Sequence, residues 1–224
     1  MPARHGRSLT EDVYAAIRSD ILHGRLAPDE RLQLRPTAER LGVSLGVVRE
    51  AATRLAGERL LTATPQTGFR VPALSIRQLE ELTWVRCHVE SLAIREAIAH
   101  GGPDWEASLV GALHRLTITP SSVDGGVSDV WMGIHRDFHA ALAEGCPNRT
   151  LLAVRQQLFD EAELYRHWSA RAAGPARDLH GEHRRLVDAA LHRDADLAVR
   201  LVHDHLTHTA DRIANATPPA LTPD

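Results

Sequence analysis

The sequence predicts a mainly α protein in two parts. Three short helices closed by a small β-hairpin come first, and an antiparallel bundle of about six helices follows. Three observations carry this reading. Ser8, Ser44 and Ser75 each stand as a polar cap directly ahead of an apolar run of helical period. One stretch, residues 60–71, reads as two short strands about a turn. After residue 72 only helical patterns appear, and Gly and Pro interrupt them at short intervals, which makes neighbouring helices antiparallel.

Taken in order, residues 1–7 read as a disordered arm. Ser8-Leu9-Thr10-Glu11 is a capping box, and Val13, Ile17, Ile21 and Leu22 form the apolar face of the helix it opens, which Gly24 ends. Residues 25–34 connect, turning at Pro28-Asp29. Pro36 suits the first turn of a second helix that runs to Leu41 and stops at Gly42. Arg35 stands ahead of it. Ser44 caps a third helix with Val48, Ala51, Ala52 and Leu55 inward. Residues 60–64 and 69–71 are the strands, and residues 65–68 turn between them. A helix, a short break with Gly, a helix and a hairpin make a winged helix-turn-helix over residues 8–72.

Pro72-Ala73-Leu74 is a hinge, and Ser75-Ile76-Arg77-Gln78 is a second capping box. The long helix that follows carries a stripe of Leu79, Leu82, Val85, Val89, Leu92 and Ala93, and ends at Gly101-Gly102. Pro103 opens a helix with Trp105, Leu109, Leu113 and Leu116, and a polar loop spans Thr119 to Gly126. Next comes a helix with Val130, Trp131, Ile134, Phe138 and Leu142. Asn148 caps another, which runs to about Ala172 with Leu151, Leu152, Leu158 and Leu164 inside. Gly174-Pro175 breaks it. Helices over about 176–193 and 195–215 complete a second domain at 75–215, and a disordered tail closes the chain. No strand pattern is seen after residue 72.

Composition narrows the function. Hydrophobic residues make up 43% of the 224, enough for packed cores, but aromatics are only 4%, so aliphatic side chains must fill them. No apolar run approaches the roughly 18 residues of a membrane span, and the N-terminus has no apolar signal core. Two cysteines, Cys87 and Cys146, make no disulfide framework. A reduced, cytoplasmic protein is expected. All 26 basic residues are Arg. Residues 1–72 hold 11 Arg against 8 acids, and the remainder 15 Arg against 21. A mildly basic head on an acidic body permits nucleic-acid binding by the head. Ser44 and the first amides of the third helix can meet a DNA phosphate. Arg49, one turn on, can reach a phosphate or a guanine edge, and Gly68 lets the wing approach the minor groove.

The body's chemistry starts at Trp131-Met-Gly-Ile-His-Arg-Asp-Phe-His139. His135 and His139 lie one helical turn apart on one face, a spacing that can grip one metal ion. His180, His183, His203, His205 and His208 are further candidates to close the site.

Residues 24–32 (Gly-Arg-Leu-Ala-Pro-Asp-Glu-Arg-Leu), Leu41-Gly-Val-Ser44 with Val48-Arg-Glu-Ala51, and Gly68-Phe-Arg-Val71 resemble the linker, recognition helix and wing of GntR-family regulators. The resemblance implies DNA contacts at Arg35, Ser44, Gly46, Arg49 and Gly68. It also shows a departure. After the Ser the family usually has Arg, then Thr or Ser, then Pro, whereas here stand Leu45, Gly46 and Val47. One guanine-reading side chain is missing, so an atypical operator is expected.

Arg86-Cys-His-Val-Glu90, Phe138-His139, Asn148, Glu182-His183 and His205-Leu206 resemble the FCD effector domain of the FadR subfamily. In its metal-binding members an Asp and three His project into the bundle. His135 stands at the Asp position, so the implied ligands are His135, His139, His183 and His205, with Asp137 pointing elsewhere. Four neutral imidazoles suit a divalent transition metal, Zn or Ni foremost, over Mg or Ca. The resemblance further implies a small organic acid effector clamped by Arg86, whose other reading is an ion pair with a body carboxylate. It implies a homodimer on an inverted-repeat operator of double-stranded DNA, and no enzymatic role. Two alternatives stay open: a hydrolase of the HD type, suggested by His203-Asp204, and a regulator whose metal is purely structural.

Overall fold

The structure is a computed structural model. It describes residues 8–64, 67–123, 126–169, 178–215 and 221–222. The chain divides into two compact units between Leu74 and Ser75.

In the first unit, α1 (Leu9–Leu22), α2 (Leu34–Leu41) and α3 (Leu45–Gly57) pack around Ile17, Ile21, Val48, Ala51, Ala52 and Leu55, all buried. Alanines at 51 and 52 allow α1 to lie close against α3. Ser8 caps α1 by accepting the Glu11 amide at 3.2 Å. The capping box is not closed in return, because the Glu11 carboxylate takes Arg54 of α3 at 2.8 Å. Tyr14 donates to Glu58 at 2.6 Å, and burial together with that carboxylate pushes its hydroxyl up to about 12.

Arg35 proves to be the second residue of α2, since Pro36 lies within the helix's first turn. Gly42 ends α2 at φ 66, a left-handed conformation that glycine adopts without strain. Strands β1 (Thr62–Thr64) and β2 (Gly68–Arg70) pair antiparallel with Ala63 opposite Phe69. Leu60 and Leu61 were expected in the first strand. Their amides instead bond to the Leu55 carbonyl, closing α3 and seating both side chains in the core. Val71 likewise leaves the hairpin to pair with Glu30, and Leu32 donates to Phe69, so the linker forms a third edge of the wing.

The second unit consists, among the described residues, of α4 (Ile76–His100), α5 (Pro103–Ile118), α6 (Asp129–Ala143), α7 (Arg149–Ser169), α8 (Leu179–Leu191) and α9 (Ala195–Asn215). Helix α4 is central and packs against α6, α7 and α9, while α5 lies on α6 and α8. Phe138, Leu142, Ile94, Leu109, Leu186 and Val202 form the core between them. Caps sit where expected at Ser75 and Asn148, which accept the Gln78 and Leu151 amides at 3.1 and 3.0 Å. Helix α8 begins at Leu179, later than expected, because Asp178 caps it.

The stripe expected on α4 is corrected. Val85 and Leu92 are exposed, and Arg86 and Glu90 are buried in their place. Val130 on α6 is exposed as well. Short strands correct the expectation of none after residue 72: Ser122–Val123 pairs with Gly126–Val127, and Leu221–Thr222, which groups with the first unit, is also a strand. The expected arm at 1–7, the end of α7 near Ala172, the Gly174-Pro175 break and most of the tail lie outside the described residues.

Candidate metal centre and DNA-reading surface

Helix α6 turns Trp131, His135, Phe138, His139 and Leu142 inward, which places the two imidazoles one turn apart on the buried face. His183 comes from the first half of α8 and His205 from the middle of α9. All four are at most 2% exposed, and one ring nitrogen from each lies within 4.8 Å of the others. Four converging imidazole nitrogens are a donor set that would suit one transition-metal ion.

The surroundings orient these rings. Glu182 accepts from His205 Nδ1 at 2.9 Å, which fixes a proton on that nitrogen and orients the ring. Trp131 stacks on His135 with centroids 4.8 Å apart, and Phe138 packs edge-on against His139 and His183. Arg155 donates to the His139 carbonyl at 2.5 Å, bracing α6 from α7. Burial, reinforced by Arg166 and by the neighbouring imidazoles, holds His135 and His139 well below the usual imidazole range. Both are neutral, the form a metal requires.

Arg166 is the unexpected neighbour. Its Nη1 lies 2.7 Å from His135 Nδ1 and 3.0 Å from Nε2, while its Nε pairs with Glu163 at 3.1 Å. A guanidinium only donates, so Arg166 and a metal ion compete for the same ring. Arg86 is buried beside this group. Its Nη2 stands 3.6 Å from Glu90 Oε1, its guanidinium faces Phe159 at 5.3 Å, and its Nε has no hydrogen-bond partner among the described residues. The other expected histidines, His180, His203 and His208, are exposed, and Asp137 keeps 68% of its side chain in solvent.

Sequence reasoning missed Arg155, Glu163 and Arg166. Their signal was present: with Phe159 and Ala162 they fall on the inward arc of α7, so charges occupy positions that the helical period assigns to the core.

On the head, Ser44 caps α3 by accepting the Val47 amide at 3.5 Å. Arg35, Ser44, Gly46 and Arg49 are all exposed. Gly68 is partly exposed at φ 93, a conformation that calls for glycine.

Residues 9–71 match the gntR family of bacterial regulatory proteins, and residues 81–208 match the FCD domain. The chain belongs to the GntR family. This member is 34% identical over 200 residues to the HTH-type transcriptional repressor GlaR of Escherichia coli K12, covering 87% of this chain and 91% of that one. It is also 34% identical over 209 residues to the HTH-type transcriptional regulator BphR of Paraburkholderia xenovorans, covering 92% and 85%. Its fold superposes on that of E. coli McbR/YncC with a TM-score of 0.80 at 25% identity, over 94% of this chain and 99% of that one. A putative GntR regulator from Rhodococcus sp. RHA1 shares the fold with a TM-score of 0.72 at 24% identity, over 94% and 99%. This GntR protein is a DNA-binding transcriptional regulator. The hydrolase alternative falls: both matched families are regulatory, and His203 and Asp204 are exposed surface residues whose side chains stand 3.9 Å apart. Among the described residues no helix is long and apolar enough to cross a membrane.

Proposed function

We propose that the helical body holds one divalent transition metal, Zn or Ni, through His135, His139, His183 and His205. In this reading a small organic acid binds beside it, and its binding changes the affinity of a cytoplasmic homodimer for an inverted-repeat operator. The observation that carries this is the convergence of four buried imidazoles from three helices. Histidines without a ligand rarely cluster in a core, because each leaves polar nitrogens to satisfy.

A bound ion would supply a positive centre for carboxylate oxygens. The chain's own contribution is to present lone pairs, exclude water and offer guanidinium groups. Arg86 supports the acid-binding part, since its buried fork has donors to spare for a carboxylate. Trp84, Val85 and Leu92 leave an exposed apolar face on α4, which supports self-association. On the head, Arg35, Ser44 and Arg49 would take phosphates and base edges, Gly46 would lie against them, and Gly68 would let the wing approach the minor groove. The near-complete enclosure of the four rings also favours a second reading, in which the metal is structural and no acid binds.

The test uses full-length protein, stripped of metal or loaded with Zn or Ni, and fluorescence anisotropy on a duplex from its own promoter region. Binding should weaken as salt rises, and a panel of carboxylic acids should shift it only in the loaded protein. His139→Ala should lose the metal and the acid response but keep DNA binding, and His203→Ala should behave as wild type. A full metal equivalent retained by His139→Ala would refute the ligand set. If chelation unfolds the body while no acid shifts the loaded protein, the structural reading holds.

A further inference from the structure

We propose that Leu45 reads the C5-methyl group of thymine in the major groove, and that Gly46 is the clearance that lets it do so. This rests on the DNA-binding reading of the head and adds to it a base preference.

Helix α3 starts at Leu45, and in a helix-turn-helix the N-terminal residues of the second helix meet the base edges. Its inward face is complete without the first turn, since Val48, Ala51, Ala52 and Leu55 fill the core. Leu45 is 37% exposed and lies one turn before the exposed Arg49 on the same face. The surface that α3 offers to a groove therefore begins with an isobutyl group and continues with a guanidinium.

An isobutyl group neither donates nor accepts a hydrogen bond. Of the base edges in the major groove, only thymine presents an apolar group, its C5-methyl; the others present donors and acceptors. Placed against guanine, adenine or cytosine, Leu45 would strip water from polar atoms and return nothing. Placed against thymine, it buries a methyl group. The side chain thus selects by the one contact available to it.

Gly46 supplies an independent observation. Glycine weakens a helix, so its presence in a first turn calls for a cause. None lies inside the protein. Its φ is not in the left-handed region, and an added Cβ would meet only the Ser44 hydroxyl, at an ordinary 3.8 Å. Gly46 is exposed. The space it leaves is on the outside, where the bases come.

The experiment begins with duplexes selected from a random library by the full-length protein. Each thymine of the best binder is then replaced in turn by deoxyuridine, which lacks only the methyl group, and affinity is read by anisotropy. In the wild type at least one replacement per half-site should weaken binding about four-fold, the worth of one buried methyl group. Leu45→Ala should still bind, through Arg49 and the phosphate contacts, but lose that sensitivity. Gly46→Ala should melt no lower than wild type and bind the same duplex several-fold more weakly. Wild-type affinity indifferent to every replacement overturns the proposal, as does an unchanged pattern in Leu45→Ala. Failure to select any duplex overturns the DNA-binding reading itself, a distinct result.

Discussion

Arg155 on α7 sets its Nε 2.7 Å from Glu90 on α4, with both side chains 3% exposed, and spends a second N–H on the His139 carbonyl. One guanidinium thus ties together three helices that surround the histidines. Glu90 also faces Arg86, so one carboxylate stands between two buried cations.

That asymmetry makes a prediction. Glu90→Leu strands two buried guanidinium groups and should cost about 3–5 kcal/mol, the usual penalty for breaking a buried pair. Arg155→Met leaves Glu90 with Arg86 and should cost less. Chemical denaturation of the two variants checks the order, and equal losses would contradict it.

Arg166 should oppose the metal. Arg166→Gln removes a positive charge lying 2.7 Å from a His135 nitrogen. Zn or Ni binding should tighten on the order of ten-fold, about 1.4 kcal/mol of relieved repulsion in a partly screened site. Competition against a chelating dye measures this. The variant should also melt lower, because buried Glu163 loses its partner, so affinity and stability move in opposite directions.

Acid should unfold the metal-free body. Burial keeps His135 and His139 uncharged in the fold, well below the ordinary 6.5. Below that pH the unfolded chain takes up protons that the folded body refuses. The stability is therefore complete above about pH 6.5 and is lost as pH falls, by at most roughly 1.4 kcal/mol per group per pH unit. Thermal melts of chelator-treated protein from pH 8 to about 5 should show the decline. His139→Gln should flatten it.

Two glycines should respond oppositely to alanine. At Gly101 an added Cβ would lie 2.2 Å from the Trp105 ring and 2.6 Å from the Ala97 carbonyl. Gly101→Ala should cost about 1–3 kcal/mol by overpacking. At Gly111, inside α5, the nearest atom is the end of Arg115 at 3.6 Å. Gly111→Ala should stabilise by about 0.5–1 kcal/mol. Melting temperatures of the pair decide it.

Several helix boundaries were legible because their causes are local. Ser8, Ser44, Ser75 and Asn148 each cap the helix that their neighbours announce, and Gly42 ends one. The position-by-position stripe of α4 was not legible. Val85 and Leu92 look inward by chemistry and are outward in fact, while Arg86 and Glu90 do the reverse. Apolar periodicity describes a core built only of apolar groups. It fails where charges from separate helices neutralise one another, since no helix alone shows that the partner exists. The coming together of His183 and His205 with the α6 pair is such a case. Residue spacing supplied His135 and His139, and only the family resemblance selected the other two.

The absence of a carboxylate among the four ring donors has an electrical consequence. An ion seated there would keep its entire double charge within a low-dielectric interior, where an acidic ligand would have cancelled half of it. Such a centre is costly until an anion arrives, so each species should recruit the other: the organic acid would raise the ion's retention by the same factor by which the ion raises the acid's. A regulator built this way would read the product of two cellular concentrations and stay silent when either is scarce.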